Sequence, residues 1–423
     1  MARPHRRKAI VPHLDALESR NLPSVVGIGP QPLPTISGSI QVAGSPGDAD
    51  INLQWGLSQA NDVDINAPQA WSLAAGSSPT IVAVIDSGID LTHPEFVDRL
   101  WTNPGEVPYN GLDDDGNGHV DDVHGWNFDV NTADIWDENG HGTHVAGIIA
   151  AAGNNGRGVV GVNPNARLMV LKTLDGSGGG TIDAAVRAVY YAVDHGARVI
   201  NASWSGSFHS KALLRAVRYA NQRGVVVVAA SGNSSSNIDT SPEYPASYKV
   251  PNILSVAAIN AAGRLAGFSN FGRRSVDIAA PGVGILSTVP GSYDSYSGTS
   301  MATPYVAGVV SLLVGQQPHL TARQIVQRVI ATAKPLPGLG HRLASGGMVD
   351  ASNVLSGQIT SRRALRQSAI LATPRTGTTL SAASLGMPTT DLATAVPVPL
   401  IPDNPSLMAF SRPNFRPPLQ RPI

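Results

Sequence analysis

Between residues 80 and 333 two hydrophobic patterns alternate along the chain. The runs Thr80–Asp86, Leu168–Leu174, Arg198–Ser203, Val225–Ala230, Ile253–Ile259 and Val276–Ala280 are short and rich in Val, Ile and Ala. Few polar residues break them, which predicts strands buried on both faces. The stretches His141–Ala152, Ile182–His195, Lys211–Arg223, Ser300–Gln316 and Ala322–Ala333 predict helices. In the second of these, Ile182, Ala185, Val186, Val189 and Val193 recur at helical spacing. Gly196 and Gly224 stand where helix C-caps belong. Strand alternating with helix implies an α/β fold of three layers, with a mainly parallel central sheet covered on both faces. Ligands of such sheets bind beyond the carboxyl ends of the strands. The expected chemistry therefore lies at Asp86, near Ser203 and near Asn233.

The two ends lack this alternation. Residues 1–50 are punctuated by Pro and Gly and show no sustained period. Met1 to Lys8 is basic like the start of an export signal and contains Arg6-Arg7. Asp15, Glu18 and Arg20 interrupt the apolar stretch that should follow. Leu14–Ser24 resembles a short N-terminal motif of some bacterial surface proteins. Residues 1–50 read as a mostly disordered leader or short pro-segment, and residues 51–356 as the folded domain. Residues 357–423, with prolines crowded from Pro374 to Pro422, read as a disordered tail.

Composition narrows the function. Among 423 residues, 30 basic and 30 acidic side chains give a formal net charge of zero, which excludes nucleic-acid binding by bulk charge. With no cysteine, disulfides, cysteine–zinc sites, iron–sulfur clusters and a thiol nucleophile are excluded. No run of ~18 apolar residues occurs, so no spanning helix is expected. A monomer located outside the cell or on its surface is the expectation.

Four residues stand in distinctive local settings. Asp86 closes Ile81–Ile85 and precedes Ser87-Gly88, so a strand delivers its carboxylate to the sheet edge where a turn begins. Taken alone it suits a helix N-cap, a ribose or metal ligand, or catalysis. His141 opens Gly140–Gly147, and with His144 it has a spacing that suits a metal. The Glu of a His-Glu-x-x-His zinc protease is absent. Ser300 lies in Ser297–Pro304 ahead of a long apolar helix. Pro304 is expected in the first turn, which sets Ser300 at the helix N-terminus, where the dipole favours developing negative charge. A plain N-cap serine fits as well. Asn233 ends Val225–Asn233, and its amide suits either donation into a cleft or an ordinary turn.

Together, in the order Asp, His, Ser, these motifs resemble those of subtilisin-like serine proteases (peptidase S8 family), nearest to the thermitase-like branch. The resemblance covers roughly residues 50–356 and rests on Val84–Asp90, the His141 motif, Ala229–Asn233 and Gly298–Gly308. It implies that Ser300 is the nucleophile and His141 the general base, with Asp86 holding the imidazole tautomer. Asp90 is not the triad member. The Asn233 side chain and the Ser300 N–H form the oxyanion hole, and the bond-breaking step needs no cofactor. His141 must be neutral to act, so activity is expected to fall as pH drops through roughly 6–7. Substrate is expected to add as a strand between Ser203-Trp204-Ser205-Gly206 and Asp175-Gly176-Ser177-Gly178. Ser205 stands where the family usually has Gly and is expected to narrow the pocket for the side chain before the cut bond. A broad, apolar-leaning preference follows.

Asn110–Asp122 is dense in carboxylates. Asp113, Asp115 and Asn117 alternate and Gly118 follows, as in the first half of an EF-hand loop. The closing Glu is absent, and Asp121 or Asp122 stands in reach instead. A structural calcium ion is expected at Asp113, Asp115, Asn117 and Asp122. Similarity to the family suggests a second calcium at Glu95 and Asn155, and a third around Asn127, Asp129 and Asp134. The leader lacks the pattern of the family's folded propeptide, so calcium in the 110–122 loop is expected to drive folding instead. Two other readings compete with a secreted endopeptidase: a non-catalytic surface or binding protein on the same scaffold, and a processing protease confined to dedicated partners.

Overall fold

The computed structural model describes residues 47–74 and 77–359, and the backbone of residues 13–16. The chain divides into two units, Met1–Thr373 and Pro374–Ile423, the second lying wholly outside the described residues. The basic start, most of Leu14–Ser24 and the Pro-rich tail from residue 360 lie outside them too.

The strands are β1 (His13–Ala16), β2 (Ile81–Asp86), β3 (Gly125–Asn127), β4 (Arg167–Lys172), β5 (Gly179–Thr181), β6 (Val199–Ala202), β7 (Trp204–Ser205), β8 (Val226–Ala230), β9 (Ile253–Ile259), β10 (Ile278–Pro281), β11 (Ile285–Val289), β12 (Ser292–Tyr296), β13 (Lys334–Pro335) and β14 (Gly347–Met348). The α-helices are α1 (Ala67–Leu73), α2 (His141–Ala150), α3 (Ile182–Asp194), α4 (Lys211–Gln222), α5 (Thr299–Gln316), α6 (Ala322–Ala331) and α7 (Ala351–Ser356). The expected strands and helices are all present, with ends moved by a residue or two or unchanged, as at Ile253–Ile259. The caps explain several ends. Thr181 and Ser210 accept from the backbone N–H groups of Ala184 and Leu213, and Thr321 forms a capping box with Gln324.

Nine strands form one sheet in the order β13-β14-β10-β9-β8-β6-β2-β4-β3, parallel except for β13 with β14. The chain leaves β2 in two directions, to β4 and β3 on one side and to β6, β8 and β9 on the other. The carboxyl end of β2, and hence Asp86, therefore sits at the topological switch point. Successive side chains of each strand alternate between faces. Val82 and Val84 pack into the core that holds Val145 and Ile149 of α2 and Val306 and Val310 of α5. Ala83 and Ile85 pack into the core with Ala185 and Val189 of α3 and Leu213 and Val217 of α4. Both faces are covered by apolar side chains, which is why few polar residues interrupt the strand runs. Helix α5 is buried from Thr299 through Val314 and is apolar on all sides. No helix among the described residues is long and apolar enough to cross a membrane.

One expectation needs correction, the position of Pro304. Within the segment read as a mostly disordered leader, His13–Ala16 form a strand. It lies between β5 and β7 in a separate three-stranded sheet, antiparallel to both. Pro304 lies in the second turn of α5, not the first. A proline there removes the N–H that would bond the carbonyl four residues earlier, that of Ser300. The Ser203 hydroxyl fills the gap and donates to Ser300 O at 2.9 Å. In return the Ser300 Oγ donates to Ser203 O at 2.8 Å. The loss of one helical bond is thus what couples the end of β6 to the start of α5. We expect Ser203→Ala to destabilise the chain by about 1–3 kcal/mol in denaturant unfolding, because it leaves a buried carbonyl unpaired. With Pro304→Ala the backbone N–H returns, so the same substitution should cost about 1 kcal/mol less. Equal costs in the two backgrounds would disprove the exchange.

Candidate active site

Asp86 and His141 meet at the sheet edge. The Asp86 Oδ1 lies 2.7 Å from His141 Nδ1, and both side chains are buried. A carboxylate only accepts, so Nδ1 carries the proton and Nε2 is the basic nitrogen. Oδ1 also accepts from Ser87 N at 2.8 Å, which fixes the carboxylate. The helix start must come very close to the loop after β2. A Cβ on Gly142 would stand 2.3 Å from Gly88 O, and one on Gly88 would stand 2.5 Å from Ile135 O. Glycine is required at both positions by this approach.

Asp137, which sequence reasoning missed, organises the loop before α2. Its Oδ1 accepts from Ser87 Oγ, Asn139 N and Gly140 N, and its Oδ2 from Thr143 N and Thr143 Oγ1. Ser87 Oγ accepts in turn from Gly142 N at 2.8 Å. One buried carboxylate therefore ties the β2 exit to the α2 N-terminus. Its only sequence signal is an Asp three residues before Gly140. Buried Lys172 adds a second tie, donating to Ser87 O and to Glu138 Oε2.

Ser300 is the second residue of α5, wholly buried, and α5 packs beside α2. The first N–H groups of a helix have no partner four residues back, and at this end Thr299 N is met by Asn233 Oδ1. Asn233 follows β8 and approaches the same end. Its Oδ1 accepts from both Thr299 N and Thr299 Oγ1 at 2.9 Å. A backbone N–H can only donate, so the amide orientation is set and Nδ2 is its donor end. Thr299 was not singled out from the sequence, although it positions Asn233.

The pairing of His141 with His144 for a metal is not what the structure builds. His144 turns to the β11–β12 hairpin, where Nε2 bonds Ile285 O at 2.9 Å and Asp294 O at 3.1 Å. Its ring stacks on Tyr296. Burial, and then the proximity of His141, lower its pKa to about 3. This histidine is a neutral core residue.

The two segments expected to flank a peptide fall beside β5 and β7. Ser177 and Gly178 fall just before β5, in a turn where Asp175 Oδ1 accepts from Ser177 N, Ser177 Oγ and Gly179 N. The strand itself is Gly179–Thr181, and residues 175–178 form the turn that leads into it. Ser203 and Gly206 flank β7, and Gly206 pairs with Tyr244 through both its N–H and its carbonyl. Trp204 is corrected: its side chain is 1% exposed and donates to Ile85 O, so it belongs to the core and offers only backbone to a ligand. Ser205 is buried and donates to Glu243 Oε2 at 3.0 Å, so a carboxylate stands behind this wall.

A model of the subtilase family (peptidase S8) matches residues 77–361. The chain belongs to the subtilase family. It is 40% identical over 283 residues to thermitase of Thermoactinomyces vulgaris, covering 67% of this chain and 90% of thermitase. It is 41% identical over 273 residues to the thermophilic serine proteinase of Bacillus sp. (strain AK1), covering 64% of this chain and 60% of that one. Subtilisin-like protease 1 of Plasmodium berghei (strain Anka) is 34% identical over 330 residues, and the chain spans 55% of its length. A solved protease of Pseudoalteromonas arctica PAMC 21717 aligns with a TM-score of 0.62 at 27% identity, over 74% of this chain and 99% of that one.

In this subtilase the acidic loop gathers Glu106, Asp113 and Asp115, with carboxylate oxygens all within 4.8 Å of one another. Glu106 was missed because it lies outside the Asn110–Asp122 cluster. Its Oε1 accepts from the N–H groups of Asp114 and Asp115, while its buried Oε2 has no partner. Such an orphaned oxygen among like charges fits a divalent cation. Asp122 does not close the site. It is buried and accepts from Asn103, Asn117 and Tyr191. Asn117 turns its amide nitrogen to Asp115 and Asp122, and its oxygen takes His119 N. Glu95 and Asn155 meet, but as acceptor and donor. Glu95 Oε2 takes Asn155 Nδ2 at 2.7 Å and Oε1 takes the Tyr293 hydroxyl at 2.7 Å. Burial pushes the Glu95 carboxyl above its ordinary value. Each carboxylate oxygen thus already accepts from one neutral donor. Asn127 and Asp134 likewise spend their side chains on local backbone.

His144 gives a pH signature. The unfolded chain takes up its proton near 6.5, and the folded chain only near 3. Stability from this site is therefore lost as pH falls through that window. His144→Gln keeps an N–H donor but cannot titrate. Its unfolding free energy, measured in urea from pH 7 to 5, should fall less steeply than that of the parent, by up to ~1.4 kcal/mol per pH unit below 6. Parallel slopes would refute the assignment.

Proposed function

We propose that this subtilase is an exported, calcium-stabilised serine endopeptidase working through Asp86, His141 and Ser300. The observation that carries the reading is the buried Asp86–His141 bond, which leaves Nε2 as the base. Ser300 Oγ attacks the substrate carbonyl carbon while its proton passes to His141 Nε2. Asp86 stabilises the resulting imidazolium. The tetrahedral oxyanion is held by Asn233 Nδ2 and the Ser300 N–H, both presented at the start of α5. His141 then protonates the leaving amine, and water hydrolyses the acyl ester by the same steps in reverse. The basic start and the Leu14–Ser24 motif support export.

The same proposal places calcium among Asp113, Asp115 and Glu106, where it would neutralise three carboxylates and pin the loop. Its role is structural, and no step of the hydrolysis passes through it.

Purified protein should hydrolyse casein, and Ser300→Ala should abolish this. Asn233→Ala should lower kcat by ~10²–10³ with KM little changed, the magnitude known for losing one such donor in subtilisin. Activity that survives Ser300→Ala would exclude the mechanism. Cleavage of a single short sequence, with casein untouched, would favour a dedicated processing enzyme.

Removing calcium with a chelator should lower Tm by roughly 5–10 °C, and added calcium should restore it. Glu106→Gln with Asp115→Asn should remove the calcium response. A Tm indifferent to chelator would refute the site.

A further inference from the structure

The segment from Ser203 to Gly206 meets Ser300 at one end and a carboxylate at the other. Side chains of an extended chain alternate between faces, and Trp204 turns into the core. Ser203 and Ser205 therefore share the opposite face. The Ser203 hydroxyl donates to Ser300 O, and Ser203 O accepts from Ser300 Oγ. Two residues on, the Ser205 hydroxyl donates to Glu243 Oε2 at 3.0 Å. Two residues of extended chain span ~6.6 Å, which sets the scale between the two contacts.

A second backbone segment lies across from this one. Gly232 N donates to Thr299 Oγ1 at 3.2 Å, beside Ser300. A Cβ on Gly232 would stand 2.3 Å from Asn270 Nδ2 and 3.4 Å from Ser205 Oγ. With a φ of +104° as well, glycine is required here, so bare backbone faces Ser205 and a slot is left between the two segments. Glu243 is held at the far end of the slot by its own main chain. Its N–H donates to Ser247 Oγ, and its carbonyl accepts from Ser247 N. Tyr244, the next residue, exchanges two main-chain bonds with Gly206. The Ser205 hydroxyl orients the carboxylate without cancelling its charge, and Glu243 is only half-buried.

We propose that Glu243 selects a cationic side chain, arginine or lysine, for the residue before the cut bond. This rests on the protease reading above and names the substrate class of that same site. A peptide carbonyl brought to Ser300 Oγ and Asn233 Nδ2 starts its side chain at the Ser203 end of the slot. Arginine and lysine carry a positive charge on a long, unbranched stem to the other end. Entry of the stem displaces water, which strengthens the attraction between cation and carboxylate. An apolar side chain takes the carboxylate out of water without a partner, and an acidic one adds repulsion. Ser205, expected only to narrow the pocket, thus aims a charge into it, and the apolar-leaning preference expected from the sequence gives way to a basic one.

The test uses the full chain and peptide anilides that differ only in the residue before the anilide: Arg, Lys, Phe or Glu. Wild type should hydrolyse the Arg and Lys peptides with kcat/KM at least about tenfold above the Phe peptide and ~10³ above the Glu peptide. Glu243→Gln keeps the shape of the side chain and should lower the Arg-to-Phe ratio by ~10². Glu243→Lys should bring the Glu peptide above the Arg peptide. Benzamidine, a small amidinium, should inhibit wild type competitively and Glu243→Gln at least about tenfold more weakly. A wild type that prefers Phe to both Arg and Lys overturns the inference, and this result does not depend on any variant folding. An Arg-to-Phe ratio unchanged in Glu243→Gln also overturns it, leaving Glu243 as a structural acceptor for Ser205. Failure to hydrolyse casein and all four peptides would instead bring down the protease reading, and this inference with it.

Discussion

The buried hydrogen bond between Asp86 and His141 is the contact around which the rest is arranged. A carboxylate and an imidazole out of water hold each other only if the chain brings them together and satisfies their neighbours. The parallel sheet delivers Asp86 at its switch point. Glycines at 88 and 142 let the loop and the α2 start touch backbone to backbone. Asp137 then locks the two segments through Ser87 and Thr143.

The other half of the site is built by a missing bond. Pro304 denies Ser300 O its helical donor, and Ser203 supplies one from the neighbouring strand end. The reciprocal contact from Ser300 Oγ sets the hydroxyl against the wall along which a peptide would lie. Thr299 does the same for Asn233, spending two donors on one oxygen so that the nitrogen end is defined. Placement of the proposed nucleophile and its oxyanion donors is thus a backbone matter, fixed by neighbours one residue away in sequence or at the end of the next strand.

The layering and the strands were legible in the sequence because burial on both faces removes polar residues from a strand, and that shows in one dimension. Asp86, His141, Ser300 and Asn233 were legible because each sits in a tight glycine- or alanine-rich motif. Asp137, Thr299 and Glu106 were not, because their work is done through bonds to residues whose nearness depends on the fold. Trp204 misled for a related reason: it adjoins the cleft in sequence, but the strand pleat turns its ring into the core. Glu95 and Asn155 came together as expected, but Tyr293, remote in sequence, joins them at the second carboxylate oxygen and was not foreseen. Strand β1 was hidden because its pairing is main chain to main chain, with no pattern in the leader to announce it.

The most direct test of the site is the reactivity of Ser300 toward a serine-directed phosphonate, followed by mass spectrometry of the labelled peptide. If Asp86, His141 and Ser300 act as a unit, the adduct forms on Ser300 and its rate drops by ~10³ or more in both Asp86→Asn and His141→Ala. No adduct on Ser300, or labelling at the same rate without His141, would contradict it.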